Sequence, residues 1–451
     1  MSTTEKHLCA TGGQMQEGKR VKAISIGLLG LGTVGSGVVK IIKNHQDKLI
    51  HQVGCPVVIK KILVQDLHKD RPVEIETGLL TANADEILRA KEIDVVIEVM
   101  GGVEETKDYL ISALRQGKHV VTANKDLMAL HGSELLTVAS EHGCDLFYEA
   151  SVAGGIPILR GLVDGLASDR ITQMMGIVNG TTNYILTKMS DEGRSYDEVL
   201  KEAQDLGFAE ADPTSDVEGL DAARKMTILA TLGFSMHIDL DDVKVSGISS
   251  ITEEDLRYGK QLGYTMKLIG YAHREGEKVE VSVAPTFLSN NHPLASVQNE
   301  YNAVYVYGEA VGETMFYGPG AGSLPTATAV VSDLVGVMKN LRLGVNGRSA
   351  VTPQYPKLLK DNEEQFSKYF LRIHVQDEVG VFADITAIFA KYGVSFEKIL
   401  QLPIKKNETS EIVLVTHKAS LTNYDKILLE LYDLKAVKEV KSAYRVVRKS
   451  L

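Results

Sequence analysis

The sequence predicts a protein in three parts: an α/β domain built on a parallel sheet, an α+β domain with a mainly antiparallel sheet, and a compact C-terminal βαββαβ unit. Three observations carry this. Between Val21 and about residue 150, short apolar strands alternate with helical runs, the pattern of a parallel sheet. From there to about residue 320, long β-rich runs mix with helices. After residue 368, two helical runs are set among four strand-like runs.

In order, VKAISIGLL is the first strand and GLGTVGSGVVKIIKN the turn and helix after it. VVIKKILV (57–64) and DVVIEVM (94–100) are strands. The helix YLISALRQG, the strand HVVTAN, the helix DLMALHGSELLTVASEHG and the strand CDLFYEA complete the first part, 21–150. The second part, 151–320, starts with ITQMMGIVNG, a strand running into the helix TTNYILTKM. SYDEVLKEAQDLG is a helix opened by a capping box, Ser195 with Glu198, and stopped at Gly207. GLDAARKMTILATLGF is another helix, while KVEVSVAPTFL and AVYVYGEAVGETMFYG read as hairpin strands. The glycine-rich GPGAGS then leads into an apolar helix, and 321–345 is expected to return to the first domain. Residues 346–367, polar with two prolines, read as a linker, and 368–451 follow the ferredoxin-like strand and helix order. Residues 1–20 read as a polar, poorly ordered tail.

A net charge of −10 over 451 residues argues against nucleic-acid or membrane-surface partners, which need a basic footprint. The cysteines, Cys9, Cys55 and Cys144, have no CxxC spacing, so neither a zinc knuckle nor a disulfide framework is supported, and scattered thiols suit a reducing cytoplasm. No apolar run has the length of a signal-peptide core or a membrane span.

Gly30-Leu31-Gly32-Thr33-Val34-Gly35 is G-x-G-x-x-G between a strand and a helix, the context in which it binds a dinucleotide. The first glycine permits the tight turn, the second lets backbone approach a pyrophosphate, and the third lets helix pack on strand. The helix start offers N–H groups and a positive dipole end to the phosphates. Asp66, after the second strand, is the candidate for the ribose hydroxyls, but His68, Lys69 and Arg71 follow it and suit a 2′-phosphate. NAD and NADP both remain open here.

The stretch GFAEADPTSDVEGLDAARK (207–225) gathers Glu210, Asp212, Asp216, Glu218 and Asp221 ahead of Lys225. Asp221 and Lys225 share a helix face. A surface ion pair is the plain reading. The uncharged run MTILATLGF that follows indicates a buried helix instead, whose charged start opens on an internal cleft. Glu210 and Asp216, in the loop between two helices, suit a cationic substrate group, whereas Asp212 and Glu218 read as surface charge.

GLLGLGTVGSGV, VTANKDLMA, EASVAGGIPI, NGTTNYIL, GFAEADPTSDVEGLDAARK and GAGSLPTATAVVSD, in that order over residues 21–345, resemble homoserine dehydrogenase. The C-terminal unit, with HVQDEVGVFADITAIFAKYGV, resembles an ACT domain, so the whole is similar to the monofunctional bacterial form with a regulatory tail. The resemblance implies a Rossmann-like nucleotide domain, a catalytic and dimerisation domain and a ferredoxin-like ACT domain. It implies reversible reduction of L-aspartate 4-semialdehyde to L-homoserine with NADPH or NADH, on the route to threonine and methionine.

Site residues carry over with it. Lys225 matches the proton donor, Asp221 its support, and Lys125 a second lysine reaching in from the nucleotide domain. Glu210, Asp216 and Thr181 match substrate contacts. Gly101, Lys125 and Gly322 join Gly30, Gly32, Thr33, Val34, Gly35 and Asp66 around the cofactor. EASVAGGIPI matches a monovalent-cation site, usually sodium, with the Glu149 side chain and the carbonyls of Val152, Gly154 and Ile156 as ligands; hard oxygen donors suit such an ion. Asp377, Gly380 and Val381 mark the loop where ACT domains bind an amino acid, here threonine, at a paired interface, which implies a homodimer or homotetramer. Gln65 stands where many relatives carry arginine, which loosens the case for strict NADP use.

Two other readings compete. One is a sensor that kept both binding domains and lost turnover; the intact Lys125, Asp221 and Lys225 argue against it. The other is a hydroxy-acid or prephenate dehydrogenase, which would need a catalytic histidine, and none falls in the six motifs. Oxidation of homoserine separates the first reading from both.

Overall fold

Six parallel strands make the first sheet: β1 (Ile24–Leu29), β2 (Val57–Leu63), β3 (Leu80–Thr81), β4 (Val95–Glu98), β5 (His119–Thr122) and β6 (Leu146–Phe147). Their order is β3-β2-β1-β4-β5-β6, the doubly wound arrangement in which the strand order reverses between β1 and β4. The computed structural model describes residues 22–347, 352–404 and 409–447. The tail expected over 1–20 lies outside the described residues. β6 is shorter than CDLFYEA indicated, because the chain turns into a 3-10 helix at Glu149–Ser151.

The second sheet holds β7 (Ile171–Ile177), β8 (Lys244–Val245), β9 (Tyr264–Glu275), β10 (Lys278–Ser289), β11 (Tyr301–Gly308), β12 (Gly312–Pro319), β13 (Phe366–Gln376), β14 (Phe396–Ile404), β15 (Thr409–Thr416), β16 (Ala419–Ser420) and β17 (Val437–Val447). The main path is β12-β11-β7-β9-β10-β17-β13-β15-β14, with β8 beside β10 and β16 beside β13. Within it, β17-β13-β15-β14 with the helices Val381–Lys391 and Leu421–Asp433 is the ferredoxin-like βαββαβ unit. That unit does not carry a separate sheet. β17 pairs in parallel with β10 through Thr286–Arg445, Phe287–Val446 and Leu288–Val447. Phe287 also packs tilted against Phe370 (4.7 Å between centroids) and meets Tyr444 edge-on (5.8 Å).

One face of the C-terminal sheet buries Leu371, Ile373, Ile412 and Leu414 against its own helices. The opposite face is covered by the helix Glu253–Gln261. There Asp255, fully buried, pairs with Arg372 (3.0 Å) and accepts the hydroxyls of Ser442 (2.5 Å) and Tyr444 (3.1 Å). The sequence reading assigned neither this helix nor β9.

The stretch 346–367 is a linker by composition, yet its described part is laid along the second domain. Tyr355 bridges to Met236 and Leu359 to Val279, while the Lys360 side chain is buried. The helix Ser323–Leu343 returns to the first sheet and buries Ala327, Val330, Leu334 and Val337 in the same core as Ile26, Leu28 and Val38. It packs so closely on the helix Thr33–Asn44 that a Cβ at Gly37 would lie 2.5 Å from the Ser323 carbonyl oxygen. No helix among the described residues is long and apolar enough to cross a membrane.

Candidate active site

The loop after β1 has the geometry its glycines require. Gly30 takes φ +101, and a Cβ there would stand 2.8 Å from Met100 Cα, beyond the end of β4. A Cβ on Gly35 would meet the Gly30 carbonyl oxygen at 2.3 Å, so the third glycine lets the helix sit on the turn. Around Gly32 the space is open, as backbone approach to a pyrophosphate demands. Thr33 and Val34 start the helix Thr33–Asn44, whose Ncap Gly32 carries no side-chain cap, leaving the first N–H groups to a ligand. The Gly322 turn closes one side: Ser323 Oγ donates to the Thr33 carbonyl at 2.7 Å.

Asp66 and its basic neighbours lie exposed beyond β2. The His68 N–H donates to Asp66 Oδ1 (2.8 Å), and Arg71 donates to the carbonyls of Asp66 and, at 2.7 Å, Lys69. Arg71 is thus folded onto its own loop.

A residue not singled out from the sequence shapes the other side. Glu98, fully buried at the end of β4, accepts the N–H groups of Met100 (2.8 Å) and Gly101 (3.1 Å) on one oxygen and the Thr122 hydroxyl (2.5 Å) on the other. Burial pushes its carboxyl above the ordinary range, and these donors work against the shift. Asn124 donates to the Gly102 carbonyl (2.7 Å) and caps the next helix by accepting the Leu127 N–H (3.0 Å). The network therefore sets both the Gly101 turn and the helix start that carries Lys125. Glu98→Ala is expected to weaken NADPH binding about tenfold, since two loop N–H groups lose their acceptor, while Glu98→Gln stays near wild type. Fluorescence titration with NADPH checks this; unchanged affinity in the alanine variant would remove this turn from the cofactor cradle.

Lys125 opens the helix Lys125–Glu141. Its Nζ lies 2.6 Å from Asp221 Oδ1. Asp221 is in the first turn of the helix Leu220–Phe234, and its Oδ2 pairs with Lys225 Nζ at 2.7 Å. The Asp221–Lys225 pair expected from the sequence is therefore buried, with the Asp221 side chain only 3% exposed. Lys225 also donates to the Val178 carbonyl at 2.7 Å. Burial alone would raise the Asp221 carboxyl, but Lys225 and Lys125 reverse this and hold it well below the usual carboxylate range. Burial opposes the Lys125 charge too, yet Asp221 outweighs it and keeps that ammonium above its ordinary value. A parallel pair, Arg224 with Asp126 (2.7 Å), ties the same two helices.

Asn179, also missed, joins the cluster. It caps the helix Gly180–Glu192 by accepting the Thr182 N–H (2.9 Å) and donates to Asp216 Oδ1 (2.7 Å) and Asp221 Oδ2 (2.8 Å). Its signal was present: an Asn-Gly ahead of a helix is a cap. Burial pushes the Asp216 carboxyl up, with Asp221 adding to the effect and Asn179 opposing it. Thr181 donates to the Phe208 carbonyl (2.6 Å), which fixes the start of the acidic loop. Glu210 follows on that loop, exposed, with no side-chain partner among the described residues. Lys125, Asp216, Asp221 and Lys225 are thus brought together, and Glu210 is not in contact with them. Asp212 is a local brace, accepting the Thr214 N–H (3.1 Å) and hydroxyl (2.6 Å). Glu218 accepts the Ser249 hydroxyl (2.8 Å).

At the domain junction, Glu149 is buried and hydrogen-bonded. Its carboxylate oxygens accept the N–H groups of Leu159 and Arg160, each at 2.8 Å, so the side chain caps a short helix. Its own N–H donates to Asp333 (2.8 Å), which also pairs with Arg160 (2.8 Å) and is pushed up to about 7 chiefly by burial. Val152 and Gly154 are buried, and their carbonyls receive no hydrogen bond among the described residues. Unpaired buried carbonyls fit a hard monovalent cation. The Ile156 carbonyl accepts the Ile158 N–H at 2.8 Å. In the C-terminal unit, Asp377 and Gly380 are exposed, with Gly380 at φ +96 starting the Val381–Lys391 helix, and Val381 is buried.

The chain matches the family profile described as "Homoserine dehydrogenase" over residues 157–335. It matches "Homoserine dehydrogenase, NAD binding domain" over 30–149 and "ACT domain" over 369–436. A homoserine dehydrogenase of Bacillus subtilis (strain 168) is 68% identical over 427 residues, 94% of this chain and 99% of the relative. The crystal structure of a homoserine dehydrogenase from Thiobacillus denitrificans superposes with a TM-score of 0.90 at 39% identity, over 95% of this chain and 99% of that one. A hyperthermophilic archaeal homoserine dehydrogenase in complex with NADPH gives 0.60 at 26% identity, over 70% of this chain and 98% of its own.

Proposed function

Because the chain belongs to the homoserine dehydrogenase family of NAD(P)-dependent oxidoreductases, we propose that it interconverts L-aspartate 4-semialdehyde and L-homoserine where Lys125, Asp221 and Lys225 meet. The observation that carries this is the Asp221 carboxylate, buried and shared by one lysine from each domain.

A nicotinamide cofactor held in this cradle would supply hydride to the aldehyde carbon or take it back. Negative charge then develops on the substrate oxygen, and an ammonium beside it stabilises that charge and delivers a proton. Lys225 suits this role. Two of its three N–H groups are held by Asp221 and Val178, so the third has a fixed direction. Lys125 adds a second positive charge from the cofactor side. Asp216 and Glu210 face the substrate ammonium, Glu210 moving in from its exposed loop, with Thr181 setting that loop's start. Gly30, Gly32, Thr33, Val34, Gly35, Gly101 and Gly322 form the cofactor cradle, and Asp66 takes the ribose. The Glu149 side chain and the carbonyls of Val152, Gly154 and Ile156 would hold a sodium ion as a structural pin. Threonine acting at Asp377, Gly380 and Val381 of a paired ACT interface regulates a homodimer or homotetramer in threonine and methionine biosynthesis.

Initial rates with L-homoserine and NAD or NADP test the reading. Reduced cofactor should form, and Asp66→Ala should shift the kcat/KM ratio toward NADP by about tenfold, because a carboxylate that repels a 2′-phosphate is gone. No turnover with either cofactor would sink the assignment.

A further inference from the structure

A cleft of about 710 Å³ lies between the second-domain strands and the C-terminal unit, well away from the lysine pair. Its size is that of small-molecule sites. Three parts of the chain contribute: Glu280, His273 and Tyr271 from β9 and β10, Lys360 from the connecting stretch, and Arg445 and Lys418 from the C-terminal unit.

The charges here are poorly matched to one another. The Glu280 side chain is only 6% exposed, yet its basic neighbours stand at 3.5 Å (His273), 3.8 Å (Lys360) and 3.9 Å (Arg445), at or beyond the limit of direct hydrogen bonding. Lys360 is committed elsewhere, donating to Glu275 at 2.7 Å. Arg445 lies over the Tyr271 ring at 4.9 Å and makes one long hydrogen bond, to Ser282 Oγ at 3.3 Å; its Nε and Nη2 donate none among the described residues. Lys418 is exposed at the same cleft and forms no ion pair among the described residues. A guanidinium with spare donors next to a free ammonium is built for a carboxylate. A recessed carboxylate short of donors beside them suits an amine.

We propose that this cleft binds a small α-amino acid, its carboxylate on Arg445 and Lys418 and its ammonium toward Glu280. The site is distinct from the loop at Asp377, Gly380 and Val381. A ligand there would touch the catalytic sheet, the connecting stretch and the C-terminal unit at once, so its binding free energy reports directly on how the unit docks.

The test begins with the full chain and each common protein amino acid at millimolar concentration, read by thermal shift and then by calorimetric titration of the best binder. Inorganic phosphate and the N-acetyl and amide derivatives of that amino acid are titrated as controls. Glu280→Gln should weaken binding by about tenfold or more. Gln173→Trp, which narrows the cleft without changing charge, should do the same with basal turnover unchanged, guarding against a folding defect in the first variant. Asp377→Ala, in the loop, should leave this component intact, and both derivatives should fail to bind. The proposal is overturned if no amino acid binds, if binding survives both cleft variants, or if Asp377→Ala alone abolishes it. It is equally overturned if phosphate binds as well as the amino acid, which would mark a general anion site. Each of these results leaves the homoserine reaction untouched, so the catalytic reading stands or falls separately.

Discussion

Lys225→Ala is expected to lower kcat/KM for homoserine oxidation by about three orders of magnitude. The size follows from two losses that coincide at one atom. A positioned proton-transfer group is worth about 10²–10⁴-fold, and a charge aimed at a developing alkoxide is of similar worth in a site shielded from water. Lys225 has the geometry for both. Its side chain is 11% exposed, and Asp221 and the Val178 carbonyl fix its direction. Lys125→Ala removes only the neighbouring charge and should cost less. Steady-state rates for the three proteins decide it. A residual rate within tenfold of wild type, or a larger loss in Lys125→Ala, would move the proton to the other lysine.

Asp221→Asn should be nearly as damaging, and for a different reason. Its carboxylate is the shared counter-ion of two ammonium groups, so removing its charge leaves both in a buried site. Breaking a buried ion pair from one side costs about 3–5 kcal/mol. Urea denaturation should register a loss of that order, and kcat/KM should fall about a hundredfold as the lysines repel each other out of position. The pH dependence has a definite sign. The folded-state pKa of Asp221 lies below its unfolded value of about 3.9, so its contribution is fully present above that pH and fades as pH falls through the folded value. The stability gap between wild type and Asp221→Asn should therefore hold at neutrality and narrow in acid below about pH 4. A gap that persists undiminished in strong acid would mean the residue acts through packing rather than charge.

Much of this architecture is written locally. The G-x-G-x-x-G turn sits between strand and helix, the Ser195–Glu198 capping box forms with both of its hydrogen bonds, and the uncharged run after Lys225 does bury its helix. The buried Asp221–Lys225 pair was legible for the same reason: the two residues are one turn apart in a single helix. Lys125 joins them from far away in the chain, and only its likeness to a known motif pointed to it. Residues whose role is set by distant partners stayed hidden. Glu98 reads as one more position in an apolar strand, and its hydrogen bonds to Met100, Gly101 and Thr122 follow from how β4 ends beside β5. The helix start whose N–H groups the Glu149 oxygens accept is likewise something periodicity does not reveal. β9 went unassigned because its run mixes lysine, glycine and histidine among its apolar residues, and it is defined by pairing with β10 over twelve residues on each side. The union of the two sheets has no local signature at all.

That union sets an order of events during synthesis. β17 is the last strand of the described chain, and it fills the place between β10 and β13 in the sheet. Until it has left the ribosome, the Thr286–Leu288 end of β10 presents an open edge and Phe287 lacks the Tyr444 ring that meets it. The nucleotide domain closes its sheet from strands made early, so it folds while translation continues, and the middle of the chain must wait for the end. Pairing across so long a separation carries a large loop-closure cost and is slow. The exposed edge of β10 is therefore the stretch where a nascent-chain chaperone has the longest time to act.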